Sequence, residues 1–162
     1  MFHKKNKQHQ IFKNLNLKIK YRESFRPFAP SILKEDVGSW FETEDESPYM
    51  FFVSDVKKDK IIINRDEIKE IGFDRLNQAL SVVPAITHVD GTGRLQTVDK
   101  ESNSLYYELI SKFRSKTGIG MLLNTSFNEN EPVVDTPQQA YDCFNRTDMD
   151  ALCLGNYIML KK

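Results

Sequence analysis

The sequence has 162 residues, of which 40% are apolar and 28% charged, and its 23 basic and 23 acidic side chains cancel to a formal net charge of zero. This length and balance predict a globular protein of ordinary domain size with its own hydrophobic core. Zero net charge provides no general attraction to nucleic acid and so disfavours nucleic-acid binding. Apolar runs all fall well short of the ~20 residues that a membrane-spanning helix needs, which disfavours a membrane protein.

Basic residues are concentrated at the start of the chain. Residues 1–10 are polar and predicted to be a disordered basic tail, followed by a single domain over residues 11–162. No apolar stretch follows this tail, so we expect no secretory signal and a cytoplasmic, reducing setting. The cysteines at positions 143 and 153 lack the spacing of a zinc site, so they are predicted to be buried free thiols and no metal site is expected.

The first half of the chain alternates helical and extended patterns. From Ile11, apolar residues recur at three- and four-residue steps, which predicts a helix that ends before two prolines. Residues 28–33 are then predicted to be extended, residues 37–41 a short helix and residues 49–56 a strand. Residues 57–80 are predicted to form an excursion of variable structure with a helix in it.

The centre of the chain contains the clearest turn signal. Residues 84–89 and 95–98 are predicted to be two short strands that form a hairpin around the Asp-Gly-Thr-Gly sequence at residues 90–93. A helix is predicted over residues 103–117, stopped by Gly118. Its inward face is predicted to comprise Tyr106, Leu109, Ile110 and Phe113.

The last part of the chain predicts a strand, a helix and a hairpin. Residues 120–123 have the pattern of a buried strand. Thr136 is a good helix cap, followed by proline and, three residues on, a glutamine that completes a capping box. The helix is predicted to run to about Asn145, and residues 151–160 to form two strands around a Gly-Asn turn. The class is therefore mixed α/β, with an open twisted sheet covered by helices.

Three polar blocks carry the residues that could do chemistry. The first is basic and comprises Lys18, Lys20, Arg22 and Arg26, followed by a stiff Pro-Phe-Ala-Pro segment. Arginine suits bidentate contact with phosphate or carboxylate oxygens, so this block predicts an anion site. The alternative is a solvated basic helix end with a proline-rich turn.

The second and third blocks follow apolar, strand-like runs. His88, Asp90, Thr92 and Arg94 surround a glycine-rich turn whose amides could approach an anion, although the spacing excludes a P-loop. The alternative is a hairpin in which the aspartate caps its own turn and the histidine is hydrogen-bonded in place. The third block offers amide and hydroxyl groups at Asn124, Thr125, Ser126 and Asn128.

No general base accompanies the serine of the third block, so a serine nucleophile is disfavoured. The alternative for this block is a loop held by its own side chains. Three polar blocks without a catalytic triad or metal spacing together indicate the binding and positioning of anions. Such chemistry suits phosphoryl or nucleotidyl transfer, in which the enzyme mainly places groups and neutralises charge.

Residues 21–30, 84–98 and 123–128 resemble the C-terminal region of O-carbamoyltransferases of the nodulation-protein type, which include enzymes that carbamoylate cephem and tobramycin antibiotics. The resemblance extends over roughly residues 12–161. It implies a YrdC-like α/β domain that binds ATP, with Mg²⁺, and carbamoyl phosphate and forms a carbamoyl-adenylate. It also implies a separate N-terminal actin- or hexokinase-like domain, which carries a metal ion and passes the carbamoyl group to a small-molecule hydroxyl acceptor.

The resemblance assigns roles to particular residues of this chain. It implies that anionic ligands are contacted by Lys20, Arg22, Arg26 and Arg94, and that the nucleotide site is lined by Ser126 and Asn128. The N-terminal domain has no counterpart in this sequence, so the family's activity implies a separately encoded partner chain. Many relatives also have an Arg-Gly pair that is missing from residues 128–132 here. The alternative is a non-catalytic nucleotide-binding module or a degenerate remnant; RNA binding is a third possibility.

Overall fold

A computed structural model describes residues 13–63, 78–129 and 132–161. Its contacts divide the chain into two compact units. Unit 1 comprises Met1–Arg26 and Ser126–Lys162, and unit 2 comprises Pro27–Thr125. The prediction of a mixed α/β fold is confirmed. The single domain over residues 11–162 stays a prediction, and the tail at residues 1–10 lies outside the described residues.

Unit 2 contains a three-stranded sheet with β1 (Ala29–Leu33) in the middle. Strand β4 (Gln96–Val98) pairs with β1 in parallel, and β5 (Met121–Asn124) pairs with it antiparallel. Pro30 cannot donate a backbone hydrogen bond, and it precedes the part of β1 that pairs with β4. The extended conformation predicted after the two prolines is confirmed. The strand predicted at residues 120–123 is also confirmed, although it lies at the sheet edge and, among the four residues of β5, only Met121 is buried.

The hairpin predicted around residues 90–93 is wrong. Strand β3 (Thr92–Arg94) pairs with β2 (Val53–Asp55), whereas β4 pairs with β1. Leu95 separates β3 from β4, and it is 1% exposed in the core. Residues 84–89 form turns rather than a strand, because Thr87 Oγ1 donates to the carbonyl of Val83 and holds the backbone compact.

Two α-helices lie between strands of unit 2, one after β1 and the other after β4. The short helix α2 (Val37–Trp40) is where the sequence predicts it, and it contributes to the main apolar core. This core contains Ile32, Val37, Phe41, Val56, Val83, Ile86, Leu95 and Met121. Helix α3 (Ser104–Thr117) begins at an Asn103 cap and ends at Gly118, whose φ of 78° is left-handed. It packs Ile110 against a second cluster with Leu33 and Val98.

The inward face predicted for α3 is wrong in part. Ile110 is fully buried and Tyr106 is partly buried against the core. Leu109, however, is 55% exposed and Phe113 is 38% exposed. Apolar residues cover too wide an arc of this helix for all of them to face one sheet.

Unit 1 combines the two ends of the chain. The first helix, α1 (Leu15–Ile19), is π-helical, and helix α4 (Pro137–Arg146) starts at the predicted cap, where Thr136 accepts a hydrogen bond from the Gln139 amide. Strands β6 (Ala151–Leu154) and β7 (Tyr157–Leu160) form the predicted hairpin.

Cysteine burial is confirmed at one position and wrong at the other. Cys143 lies on the buried face of α4 with Ala140 and Phe144. Cys153 is exposed on β6, because the alternation of this two-stranded sheet buries Leu152 instead.

The excursion predicted over residues 57–80 is described only at its ends. It contains a 3₁₀ turn over Lys58–Lys60. The predicted helical pattern falls mainly on residues 64–77, outside the described residues. The strand predicted at residues 49–56 is confirmed only at Val53–Asp55. None of the helices in the described ranges has the length and apolar character needed to cross a membrane.

Candidate functional site

One buried amide holds the turn that follows α1 in unit 1. Asn16 is fully buried, and its Nδ2 donates to the carbonyls of Ser24 (3.3 Å) and Arg26 (2.9 Å). Its Oδ1 accepts from Nε of Arg22 at 2.6 Å. Asn16 thereby holds the side chain of Arg22 and the backbone of Ser24 and Arg26. The sequence analysis missed this residue, whose signal is a polar side chain inside an apolar helical pattern.

Lys20 is buried and surrounded by oxygen atoms. It is 6% exposed, and its Nζ lies 2.8 Å from the carbonyl oxygens of both Ser126 and Asn128. Asn128 Oδ1 and Ser126 Oγ lie 2.6 Å and 3.3 Å away. Four acceptors match an ammonium group with three protons better than an amine with two. Lys20 therefore positions the serine and asparagine of the third polar block from inside unit 1.

The cations of this segment influence one another. Burial lowers the pKa of Lys20, and the nearby charges of Arg22 and Arg26 lower it further, while Cys143 opposes them. Burial also lowers the pKa of Arg22, with a second contribution from Arg26. Each charged form is thus disfavoured by its neighbours, and a bound anion would relieve that repulsion.

Arg26 is the exposed basic residue among Lys20, Arg22 and Arg26. Its side chain is exposed, and its guanidinium makes no hydrogen bond or ion pair with any residue in the described ranges. The hydroxyl of Ser126 donates to Oδ1 of Asn128 at 2.7 Å. Unit 1 therefore brings together five predicted site residues: Lys20, Arg22, Arg26, Ser126 and Asn128. We call these five residues the cationic cluster.

The other six predicted site residues lie in unit 2: His88, Asp90, Thr92, Arg94, Asn124 and Thr125. A single pocket formed by all eleven residues stays a prediction. Three of the six form a short hydrogen-bonded chain. Thr92 Oγ1 donates to Oδ1 of Asp90 at 2.6 Å and lies 2.9 Å from Nδ1 of His88.

The hydrogen bonds from His88 to Thr92 and from Thr92 to Asp90 fix which ring nitrogen of neutral His88 has the proton. The Thr92 hydroxyl has one proton, which it donates to Asp90, so it accepts a proton from His88 Nδ1. Neutral His88 then has its lone pair at Nε2. Asp90 also accepts from the backbone amide of Thr92 at 3.0 Å, so this aspartate caps its own turn as the alternative predicts, although the hairpin of that alternative is wrong.

Breaking the hydrogen bonds that link His88, Thr92 and Asp90 gives a first prediction. Thr92→Val removes the hydroxyl that joins His88 to Asp90, and we expect the free energy of unfolding to fall by about 1 kcal/mol. Thr92→Ser keeps the hydroxyl and is the matched control, with a smaller loss. Urea denaturation followed by circular dichroism measures both. Equal stability of the valine variant and the wild type would contradict the role given to this hydroxyl.

Arg94 and Asn124 are held by different partners. Nε of Arg94 donates to the carbonyl of Met50 at 2.8 Å, and its two terminal nitrogens make no hydrogen bond with a described residue. Nδ2 of Asn124 donates to Oε1 of Gln96 at 2.7 Å, which also accepts from the hydroxyl of Ser31 at 2.7 Å. Gln96 on β4 is therefore linked by side-chain hydrogen bonds to Ser31 on β1 and Asn124 on β5, a role that the sequence analysis did not assign. Thr125 follows β5 and is exposed.

The structure thus has clustered cations beside hydroxyl and amide groups on a mixed α/β scaffold, a combination of groups suited to contacting an anion. A family model described as carbamoyltransferase C-terminus matches residues 4–161. The chain therefore belongs to this family, as the sequence resemblance predicts.

Curated relatives agree with the family assignment. An uncharacterized protein of Synechocystis, sll1178, is 50% identical over 91% of the chain and 24% of its own length. Nodulation protein NolNO of Sinorhizobium fredii is 42% identical over 91% of the chain and 20% of its own length. The 3'-hydroxymethylcephem-O-carbamoyltransferase of Amycolatopsis lactamdurans is 37% identical over 69% of the chain and 18% of its own length. The chain thus spans a quarter or less of the length of these relatives.

Proposed function

We propose that this chain is the carbamoyl-adenylate-forming part of an O-carbamoyltransferase, and that it binds ATP, with Mg²⁺, and carbamoyl phosphate. The cationic cluster is the single observation that carries the proposal. The charges of Arg22 and Arg26 contribute to lowering the pKa of Lys20, and the serine and asparagine of the cluster are held by hydrogen bonds to Lys20. The setting proposed is the cytoplasm, where ATP is available.

The side chains of the cationic cluster have different roles in the proposed reaction. Carbamoyl phosphate would yield carbamate and inorganic phosphate with consumption of one water molecule. A carbamate oxygen would then attack the α-phosphorus of ATP, forming the carbamoyl-adenylate and releasing pyrophosphate. Arg22 and Arg26 would neutralise phosphate oxygens, while Lys20 would hold Ser126 and Asn128 in place to orient them.

We further propose that the carbamoyl group reaches a small-molecule hydroxyl acceptor through a separate N-terminal domain or partner chain of the actin or hexokinase type. The relatives are four to five times longer than the matched segment, which supports a further domain that performs the transfer step. The residues of unit 2, with Arg94 as the cation, are proposed to complete the ligand site.

Titration calorimetry with ATP and with carbamoyl phosphate tests the proposal. We expect Arg26→Gln to weaken ATP binding by at least about tenfold, since charge-assisted hydrogen bonds contribute about 1.5–3 kcal/mol. Arg26 is exposed, so the variant is expected to keep the wild-type melting temperature.

Lys18→Gln removes another exposed cation nearby and is the matched control, with ATP affinity expected within twofold of wild type. The proposal fails if folded wild-type protein binds neither ligand, or if Arg26→Gln binds ATP as tightly as wild type.

A non-catalytic nucleotide-binding module is the second candidate. The segment at residues 128–132 lacks the Arg-Gly pair of many relatives, which favours this candidate. Release of pyrophosphate from ATP, dependent on carbamoyl phosphate, separates the two. ATP binding without pyrophosphate release would favour the binding module.

A further inference from the structure

Helix α3 has two apolar faces, and only one of them is covered. Tyr106 and Ile110 pack against the sheet of unit 2. Leu105, Leu109 and Phe113 follow one another at four-residue steps and form a second stripe beside the buried one. Their exposed fractions are 78%, 55% and 38%. A helix that only covers a core needs one such stripe, so the second needs another explanation.

Charged side chains of both signs lie beside this stripe. Lys112 and Lys116 lie on the same side of α3 as Leu109, because 3.6 residues per turn place them within about 60° of it. By the same geometry Glu108, which is exposed, lies about 60° from Leu105.

Ser104 and Ser111 lie roughly 140° or more away from Leu109 on the same helix. We call the stripe and its three charged neighbours the outer face of α3. Its complement is an apolar surface with a border of mixed charge.

We propose that the outer face of α3 docks the longer part of a carbamoyltransferase-family polypeptide through an apolar surface with a border of mixed charge. This inference rests on the proposed function for the identity of the partner. The length of the relatives supports this occupant: in the Synechocystis relative, about three quarters of the polypeptide lies outside the match. In such a protein, the segment equivalent to this chain has a large covalent neighbour that can cover the stripe.

Cysteine labelling in whole polypeptides tests the docking. The background is Cys153→Ser, which removes the exposed native thiol, while Cys143 is buried. Leu109→Cys and, as matched control on the other side of the helix, Ser104→Cys are each made in this chain. Each is also made in a chimera in which this chain replaces the matched segment of the Synechocystis relative. We expect a maleimide to react with Leu109→Cys at least tenfold more slowly in the chimera, and with Ser104→Cys at the same rate in both.

Two outcomes would overturn the proposal. One is equal labelling of Leu109→Cys in the chimera and in the chain alone. The other is a dimer of the chain alone, seen by sedimentation, that Leu109→Glu abolishes, because the outer face would then bind a second copy.

ATP titration of the same proteins separates this inference from the proposed function. Protection of Leu109→Cys in a chimera that binds no ATP supports the docking and counts against the nucleotide site. ATP binding with unprotected Leu109→Cys supports the nucleotide site and counts against the docking.

Discussion

Replacing Lys20 with methionine is expected to lower the free energy of unfolding by about 2–3 kcal/mol and to weaken ATP binding at least about tenfold. Methionine retains much of the side-chain volume but donates no hydrogen bond. The carbonyl oxygens of Ser126 and Asn128 then lose their 2.8 Å contacts. Urea denaturation and titration calorimetry measure the two effects.

Lys18→Met is the matched control for this experiment. It removes a lysine from the same helical segment, but this lysine is exposed. We expect its stability to stay within about 0.5 kcal/mol of wild type. If the Lys20 variant were as stable as the Lys18 variant, the ammonium group would not hold the third polar block in place.

Gly120→Ala is expected to lower the free energy of unfolding by about 2–4 kcal/mol. A Cβ atom at this position would lie 1.8 Å from Oδ2 of Asp36, so the carboxylate has to move. Asp36 is 4% exposed and forms an ion pair with Arg114 at 2.7 Å, which movement would break. Burial already raises the pKa of Asp36, with Arg114 opposing that rise. A displaced carboxylate would lose this compensation.

The control for this substitution is Gly38→Ala. Gly38 lies in helix α2, and its added Cβ would meet only the flexible side chain of Glu44, at 3.3 Å. Alanine favours helix, so we expect wild-type or slightly higher stability. Thermal unfolding measures both variants, and equal melting temperatures would show that Asp36 can move without cost.

Local signals predicted the elements that depend on local chemistry. The cap at Thr136, the stop at Gly118 and the turn between β6 and β7 are all where the sequence places them. Each is fixed by a side chain or a glycine that acts within a few residues of its own position. Strand pairing is not local, and there the prediction failed. Nothing in residues 90–98 indicates that β3 pairs with β2 while β4 pairs with β1.

The candidate site shows the same contrast between local features, which were predicted, and long-range contacts, which were not. Side-chain type alone predicted Arg26 to be an anion-binding residue and placed Lys20 in the same basic segment. It did not show that Lys20 directs its protons to backbone carbonyls more than 100 residues away in sequence. Asn16 was missed because its role depends on burial beneath a turn, which composition and spacing do not reveal. Leu109 and Phe113 of the exposed stripe of α3 were assigned to the core for the opposite reason, since periodicity identifies an apolar face but not its partner.

The π-helical winding of α1 marks a place where the chain can gain or lose one residue before Lys20. A π-helical segment accommodates an extra residue relative to an α-helix, and such segments are typically single-turn bulges at functional sites. Deleting one residue of Leu15–Ile19 other than Asn16 would restore ordinary winding and leave the residues on either side in nearly the same orientation, because one wider turn takes up the extra residue. Homologues are therefore expected to tolerate a change of one residue here, provided that the buried asparagine is kept.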